Sequence, residues 1–292
     1  MRGYDFRGKV IAVTGGAGGI AGAFLPQAAE RGARLAVIDL RGPAAERAAA
    51  SLPGQGHRAY AADLTDEDQV ERLVAELGRD FGRLDVLINN AGMSSSERFD
   101  ERDAASIRKE IEVNLLSPLI LTRLALPLLK ASADPRVIST VSLGGIFPLG
   151  ETPIYTASKF GLRGAMLAIG LDLASKGIKV SSVLPSATDT PMLRQEAAEG
   201  GNSMQFQDPP QPPSSVADAM LRVLDRPRLE IYPRFSESLL VRFATLFPNR
   251  LPPLMKLFRG KGERGERAYL RRLEAEGHVR RTSEGWELTE LR

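Results

Sequence analysis

Tyr155 and Lys159 stand four residues apart in Tyr155-Thr156-Ala157-Ser158-Lys159, and Ser142 precedes the tyrosine by thirteen residues. A tyrosine and a lysine at i and i+4 share one face of a helix. There the ammonium can bring a phenol's pKa down from its usual value of about 10. A fall of about three units requires roughly 4 kcal/mol of preferential anion stabilisation. One ammonium and a cationic nicotinamide supply this at low effective dielectric. A phenol poised near the working pH takes or gives the proton on an alcohol oxygen. A hydroxyl such as Ser142, just beyond an apolar strand, holds the substrate oxygen against it. The expected chemistry is hydride exchange between a nicotinamide ring and a carbinol carbon.

A Tyr-x-x-x-Lys pair is common on its own, so the rest of the chain must carry the reading. Far upstream lies Thr14-Gly15-Gly16-Ala17-Gly18-Gly19-Ile20. Glycines between a strand and a helix leave backbone N–H groups free at a positive helix end, with no Cβ to keep a pyrophosphate away. Gly15, Ala17, Gly18, Gly19 and Ile20 are the candidate pyrophosphate cradle. Asp39 follows about twenty residues on, where a carboxylate accepts hydrogen bonds from both ribose hydroxyls. It would repel a 2′-phosphate, which favours NAD over NADP, although the neighbouring Arg41 keeps NADP open. Asp63 and Leu64 are candidates for the adenine edge, and Asn89-Asn90-Ala91-Gly92 for a floor under the adenosine ribose. Ordinary turns would use the same residue types. Asn114 falls mid-helix, where an amide is mildly unfavourable. It is expected to hold a water on a proton path to Lys159.

Short apolar runs at 10–13, 35–38, 58–62, 84–88, 137–141, 179–184 and 229–232 read as strands. Helical patterns lie between them, including 65–81 capped by Thr65 or Asp66, and the long run 155–175. Strands alternating with helices predict an α/β fold, a doubly wound parallel sheet of about seven strands of Rossmann type. The expected organisation is a catalytic domain over 1–233, with a substrate lid near 192–215, and a helical, charged extension over 234–292. The segment 200–215 is expected to be a loop or mobile lid, and 260–292 a solvated charged tail with helical stretches.

Together these motifs resemble the classical short-chain dehydrogenase/reductase family over roughly residues 5–233. The matching set is Thr14-Gly15 with Gly19, Asp63, Asn89-Asn90-Ala91-Gly92, Asn114, Ser142, Tyr155 with Lys159, and Pro185 with Thr190. Each motif is modest, and the ordered set is specific. The resemblance implies Tyr155 as general acid/base, Ser142 orienting the substrate, and Lys159 lowering the phenol pKa while binding the nicotinamide ribose. Asn114 would complete the proton relay. Thr190 would hold the carboxamide, with Pro185 and Thr188 against the ring. A homo-oligomer, tetramer or dimer, is also implied. The chain departs from the family pattern at Ala21, in place of a third glycine, at Ser186 after Pro185, and at Val141 before Ser142.

Other classes fit less well. The chain has no cysteine and only two histidines, His57 and His278, so thiolate metal sites, disulfides and a histidine-based triad find no support. A net charge of +3 over 292 residues lacks the clustered stripe that nucleic acid requires. No signal peptide is expected in 1–9, and the location expected is cytoplasmic. The run 113–129 reads as a buried helix and not a bilayer span. Phe147, Pro148, Leu149, Met192, Leu193, Met204 and Phe206 are expected to line a pocket for a bulky apolar alcohol or ketone, unless they only pack the lid. The apolar and basic segment 236–258 is expected to cover the pocket or pack on a partner subunit, with peripheral membrane contact as the alternative. An NADP-linked reductase and a non-enzymatic nucleotide-binding scaffold are the rival functions.

Overall fold

The computed structural model describes residues 3–283 and 285–289. The chain runs β1 (Val10–Thr14), α1 (Gly19–Glu30), β2 (Arg34–Asp39), α2 (Gly42–Ala50), β3 (Arg58–Ala61) and α3 (Glu67–Phe81). The middle is β4 (Val86–Asn89), α4 (Ala104–Ile111), α5 (Ser117–Lys130), β5 (Arg136–Thr140), α6 (Pro153–Ala174) and β6 (Lys179–Val183). It closes with α7 (Pro191–Ala198), α8 (Pro213–Asp225), β7 (Glu230–Ile231), α9 (Phe235–Thr245), α10 (Leu251–Ala275), β8 (Val279–Arg281) and β9 (Trp286–Leu288).

Strands β1 to β7 form one parallel sheet in the order 3-2-1-4-5-6-7. Its central strands β1, β4 and β5 are buried along their whole length because both faces are covered. Side chains alternate between two layers. Val10 and Ala12 pack with residues of α3, α5 and α6, whereas Ile11 and Val13 pack with those of α1 and α8. The strand order reverses between β1 and β4, and in open α/β sheets the ligand crevice opens beyond the strand ends at that point. Local signals set the helix ends. Asp66 caps α3 by accepting the Gln69 N–H, and Gly82 closes it at a left-handed φ of 73°. The run Ala104–Lys130 is long and apolar enough to cross a membrane by length and composition, yet Leu121, Ala125 and Leu129 are fully buried in the core.

That run is not one regular helix. Residues Glu112–Leu116 form a π-turn between α4 and α5, with Asn114 at its centre. A π-turn adds one residue to the helical register, so it re-aims the side chains around it.

Three expectations for the C-terminal third need correction. Residues 260–283 and 285–289 are not a solvated tail. Tyr269, Leu270 and Leu273 of α10 and Val279 of β8 are buried with Ala187, Leu193, Ala197 and Phe206, forming a third core under the lid. Val279 pairs antiparallel with Leu288, so β8 and β9 make a hairpin. The physical reason is close backbone approach. Gly262 and Gly265 let α10 lie on the 3-10 turn Ser203–Gln207, where a Cβ at Gly265 would sit 2.0 Å from the Phe206 carbonyl oxygen. Nor is 200–215 a plain loop, since it holds that 3-10 turn and the first residues of α8. The hydroxyl of Tyr269 donates to Asp189 Oδ1 at 2.8 Å, and Arg194 and Arg272 pair with the same carboxylate. The stripe of α9 behaves oppositely. Phe235, Leu239 and Phe243 are exposed and do not cover the pocket.

Candidate active site

A cavity of about 760 Å³ opens at the strand ends where the sheet order reverses. Gly15, Ala17, Gly18, Gly19, Ile20, Asp39, Asp63, Leu64, Asn90, Ala91, Gly92, Ser142, Tyr155, Lys159, Pro185, Thr188 and Thr190 all line it. Asn114 does not; it is fully buried one layer behind.

The glycine turn is shaped by its neighbours. Gly15 has a φ of 60°, and a Cβ there would meet the Ala91 backbone at 3.0 Å. Asp39 Oδ2 accepts the Ala17 N–H at 3.1 Å, and its Oδ1 accepts the Arg41 N–H at 3.1 Å. The carboxylate is therefore fixed beside the turn, nine-tenths buried, with Arg41 Nε 3.6 Å away. At the far side of the adenine end, the Thr65 hydroxyl and N–H, helped by Lys109, hold the Asp63 carboxyl below its usual range. These groups fit the adenosine half of a dinucleotide: an anion-accepting turn, a carboxylate fixed beside it and a polar adenine edge.

A ladder of polar bonds ties the crevice together. The Thr14 hydroxyl accepts the N–H groups of Asn90 and Ala91 at 2.9 and 3.0 Å. Asn90 Nδ2 donates to the Thr14 carbonyl, and its Oδ1 accepts the Thr140 hydroxyl at 3.1 Å. The Thr140 carbonyl in turn accepts from Lys159 Nζ at 3.2 Å. Asn114 clamps the strand exit from behind, accepting the Met93 N–H and donating to the Met93 carbonyl, both at 2.8 Å. Its Oδ1 lies 3.3 Å, and Lys159 Nζ 3.6 Å, from the point where a Cβ on Gly92 would be. The two polar tips thus converge above Gly92, and a methyl there would crowd the Asn114 oxygen.

The helix α6 places Tyr155 and Lys159 on the cavity side, with the ammonium 5.6 Å from the phenol ring centre. Ser142 Oγ accepts the Gly144 N–H at 2.9 Å, which leaves its own hydrogen free to donate, and the hydroxyl favours the ionised Tyr155 phenol. In the protein alone the phenol is raised, not lowered. Burial pushes the phenol up to about 12; the Ser142 bond opposes this, while Glu196 and Glu110 add to it. Burial also pulls the Lys159 ammonium down to about 8, against the pull of Glu110. Desolvation dominates both shifts, since each charged form has lost its water.

The departures from the family pattern are accommodated. Ala21 is buried in the α1 layer of the core. The Ser186 hydroxyl accepts from Gln211 Nε2 at 3.2 Å, and its carbonyl accepts the Thr188 hydroxyl at 2.9 Å. Thr190 caps α7 and faces Gly19 across the mouth of the cradle.

The substrate end differs from the expectation. Met192 and Leu193 line the cavity, but Phe147, Pro148, Leu149, Met204 and Phe206 do not. Phe206 is instead stacked in the third core, its ring 5.3 Å from Tyr269. Among the polar residues that the sequence reading missed, Glu196 and Gln205 line the cavity beside Met192 and Leu193. Glu196 was within reach of that reading, for it lies one helical turn beyond Met192 and so shares its face. Gln205 Nε2 donates to Glu196 Oε1. Burial raises the Glu196 carboxyl from 4.5 to about 7, against the pull of the Asn202 N–H and Gln205.

This shift predicts a pH dependence of stability. Between about pH 4.5 and 7 the unfolded chain has released this proton and the folded chain still holds it. Stability contributed by the neutral buried carboxyl is therefore full at low pH and lost as the pH rises through that window. The gap corresponds to roughly 3 kcal/mol. Glu196→Gln is expected to flatten the fall in urea midpoint between pH 5 and pH 7; an unchanged slope would show that the carboxyl is ionised throughout.

Residues 9–200 match the short chain dehydrogenase family. L-fucose dehydrogenase of Bos taurus is 36% identical over 200 residues, covering 67% of this chain and 72% of that protein. Levodione reductase of Leifsonia aquatica is 30% identical over 223 residues, covering 75% of this chain and 80% of the other. A short chain dehydrogenase/reductase from Burkholderia phymatum in complex with NAD superposes with a TM-score of 0.77 at 22% identity, over 84% of this chain and 96% of that one. The crystal structure neighbour shows a shared fold, and the matched family covers the cradle, the crevice ladder and the Ser142–Tyr155–Lys159 group. This chain belongs to the short chain dehydrogenase family and is an oxidoreductase acting on alcohols and ketones with NAD(P).

Proposed function

We propose that the protein is an NAD-dependent dehydrogenase that interconverts a secondary alcohol and its ketone, with Tyr155 as general acid/base. The observation that carries this reading is the Asp39 carboxylate fixed beside the glycine turn, at the opposite end of one cavity from Ser142, Tyr155 and Lys159. A nicotinamide held at Pro185, Thr188 and Thr190 supplies the hydride acceptor and, when oxidised, a positive charge beside the phenol. That charge offsets the burial that holds the phenol near 12 in the protein alone.

The residues then divide the work. Tyr155 accepts the proton of the bound alcohol, or returns it to the ketone oxygen. Ser142 donates its hydrogen to the same oxygen and fixes the carbinol carbon against the ring. Lys159, anchored on the Thr140 carbonyl, directs its remaining hydrogens to the nicotinamide ribose. Asn114 Oδ1 and Lys159 Nζ both lie over Gly92, and a water bound between them would carry the proton outward. Met192 and Leu193 support an apolar substrate body, whereas Glu196 and Gln205 offer a polar end. The preferred substrate is thus a bulky, mostly apolar alcohol bearing a second polar group. The relatives' names, L-fucose dehydrogenase and levodione reductase, point to unlike substrates and do not choose for it. A cytoplasmic homo-oligomer, tetramer or dimer, belongs to the same reading and is checked by sedimentation.

One observation favours NADP instead: Arg41 lines the adenosine end and is mostly exposed. Its pairing with Asp39 spends part of its charge, and the carboxylate is the better buried of the two. Initial rates with the two cofactors, across a panel of secondary alcohols followed by NADH absorbance, test the proposal. NAD is expected to be preferred, and Asp39→Ala is expected to raise its KM by about 10- to 100-fold, the value of hydrogen bonds to a charged group. A preference for NADP in the parent, unaffected by Asp39→Ala, would overturn the cofactor assignment. No turnover of any alcohol or ketone would overturn the substrate class.

A further inference from the structure

We propose that α9 and the first turns of α10 dock the protein on an anionic lipid surface. Phe235, Leu239, Phe243, Leu246 and Phe247 recur at the spacing of a single helical stripe and are between 52 and 69% exposed. Phe243 and Phe247 touch edge to face, so the apolar surface is continuous along the helix. Contiguous exposed apolar surface of this kind marks an interaction face, unlike scattered single residues.

The charge around the stripe selects the partner. Residues 234–261 hold six basic side chains and one acidic, a local charge of +5 in a chain whose total is +3. Everything else therefore carries a net negative charge, and the positive charge is gathered beside the apolar face. Three of the six bases are already paired, Arg234 with Glu237, Arg242 with Glu230 and Lys261 with Asp208. Arg250, Lys256 and Arg259 are exposed, with no ion pair among the described residues. A second copy of the chain fits poorly, because a two-fold contact would bring this face onto itself and oppose like charges. Anionic headgroups satisfy both features, since basic side chains meet phosphates while the aromatic and leucine side chains enter the acyl boundary. With 11 residues, α9 is too short to span a bilayer and would lie in its plane.

Sedimentation of the full chain with lipid vesicles tests the proposal. With phosphatidylcholine vesicles that include phosphatidylglycerol, the protein is expected in the pellet at low salt and to be released as salt screens the contact. Pure phosphatidylcholine should leave it in the supernatant. Replacing Arg250, Lys256 and Arg259 together by glutamine is expected to weaken binding by about 100-fold. Phe243→Ser with Leu246→Ser should abolish binding while thermal unfolding and alcohol oxidation stay near the parent's. The proposal is overturned if the parent stays in the supernatant with anionic vesicles, or if it binds both vesicle types alike. It is also overturned if the serine pair instead dissolves a dimer seen by analytical ultracentrifugation.

Discussion

Tyr155→Phe is expected to lower kcat by about 10² to 10⁴, the contribution of a positioned general acid/base. The change removes one oxygen and leaves the ring, so packing on α6 and the lysine above the ring are retained. NADH affinity, read from fluorescence quenching, should stay within a few fold of the parent, because the turn and Asp39 at the far end do not depend on the phenol. The Ser142 hydroxyl loses its partner, but it still accepts the Gly144 N–H and keeps its place. Near-parental turnover would place proton transfer elsewhere in the site and overturn the assignment of Tyr155.

Gly265→Val is expected to destabilise the protein by about 3 kcal/mol or more, at the upper end of overpacking costs. The new Cβ would lie 2.0 Å from the Phe206 carbonyl oxygen, a backbone atom that cannot rotate aside. Either α10 lifts or the turn Ser203–Gln207 is displaced, and both separate Tyr269 from Phe206. Gln205 belongs to that turn and bonds to Glu196, so the substrate KM should rise while the KM for NAD changes little. Gly260→Ala in the same helix is the control. A Cβ there has only the Arg264 guanidinium near it, at 3.6 Å, and exchanging glycine for alanine in a helix gains up to ~1 kcal/mol. Equal urea midpoints for the Gly265→Val variant and the parent would show that α10 does not rest on the turn.

Much of the sheet and of the adenosine end was readable in the sequence. Buried parallel strands are apolar on both faces, so 10–13 and 35–38 stand out as unbroken runs, leading into the glycine turn and Asp39. Asn114 attracted notice as an amide in mid-helix, yet its use as a clamp on Met93 depends on the π-turn, which has no residue signature here. The i, i+4 rule put Tyr155 and Lys159 on one face but says nothing of how dry that face is, and dryness decides both pKa values. The C-terminal third misled for a related reason. Tyr269, Leu270 and Leu273 form a narrow apolar edge in a helix crowded with arginine and glutamate, so charge dominates the composition while three side chains carry the packing. The glycines at 262 and 265 were the clue to close approach.

The bond from Tyr269 to Asp189 spans 80 residues of chain, and the third core rests on contacts of that separation. Such contacts close a long loop before they gain anything, so they form late, and a chain emerging from the ribosome folds from its beginning. The nascent protein will therefore have its dinucleotide cradle assembled while the roof over the substrate is still waiting for residues that have not yet been translated.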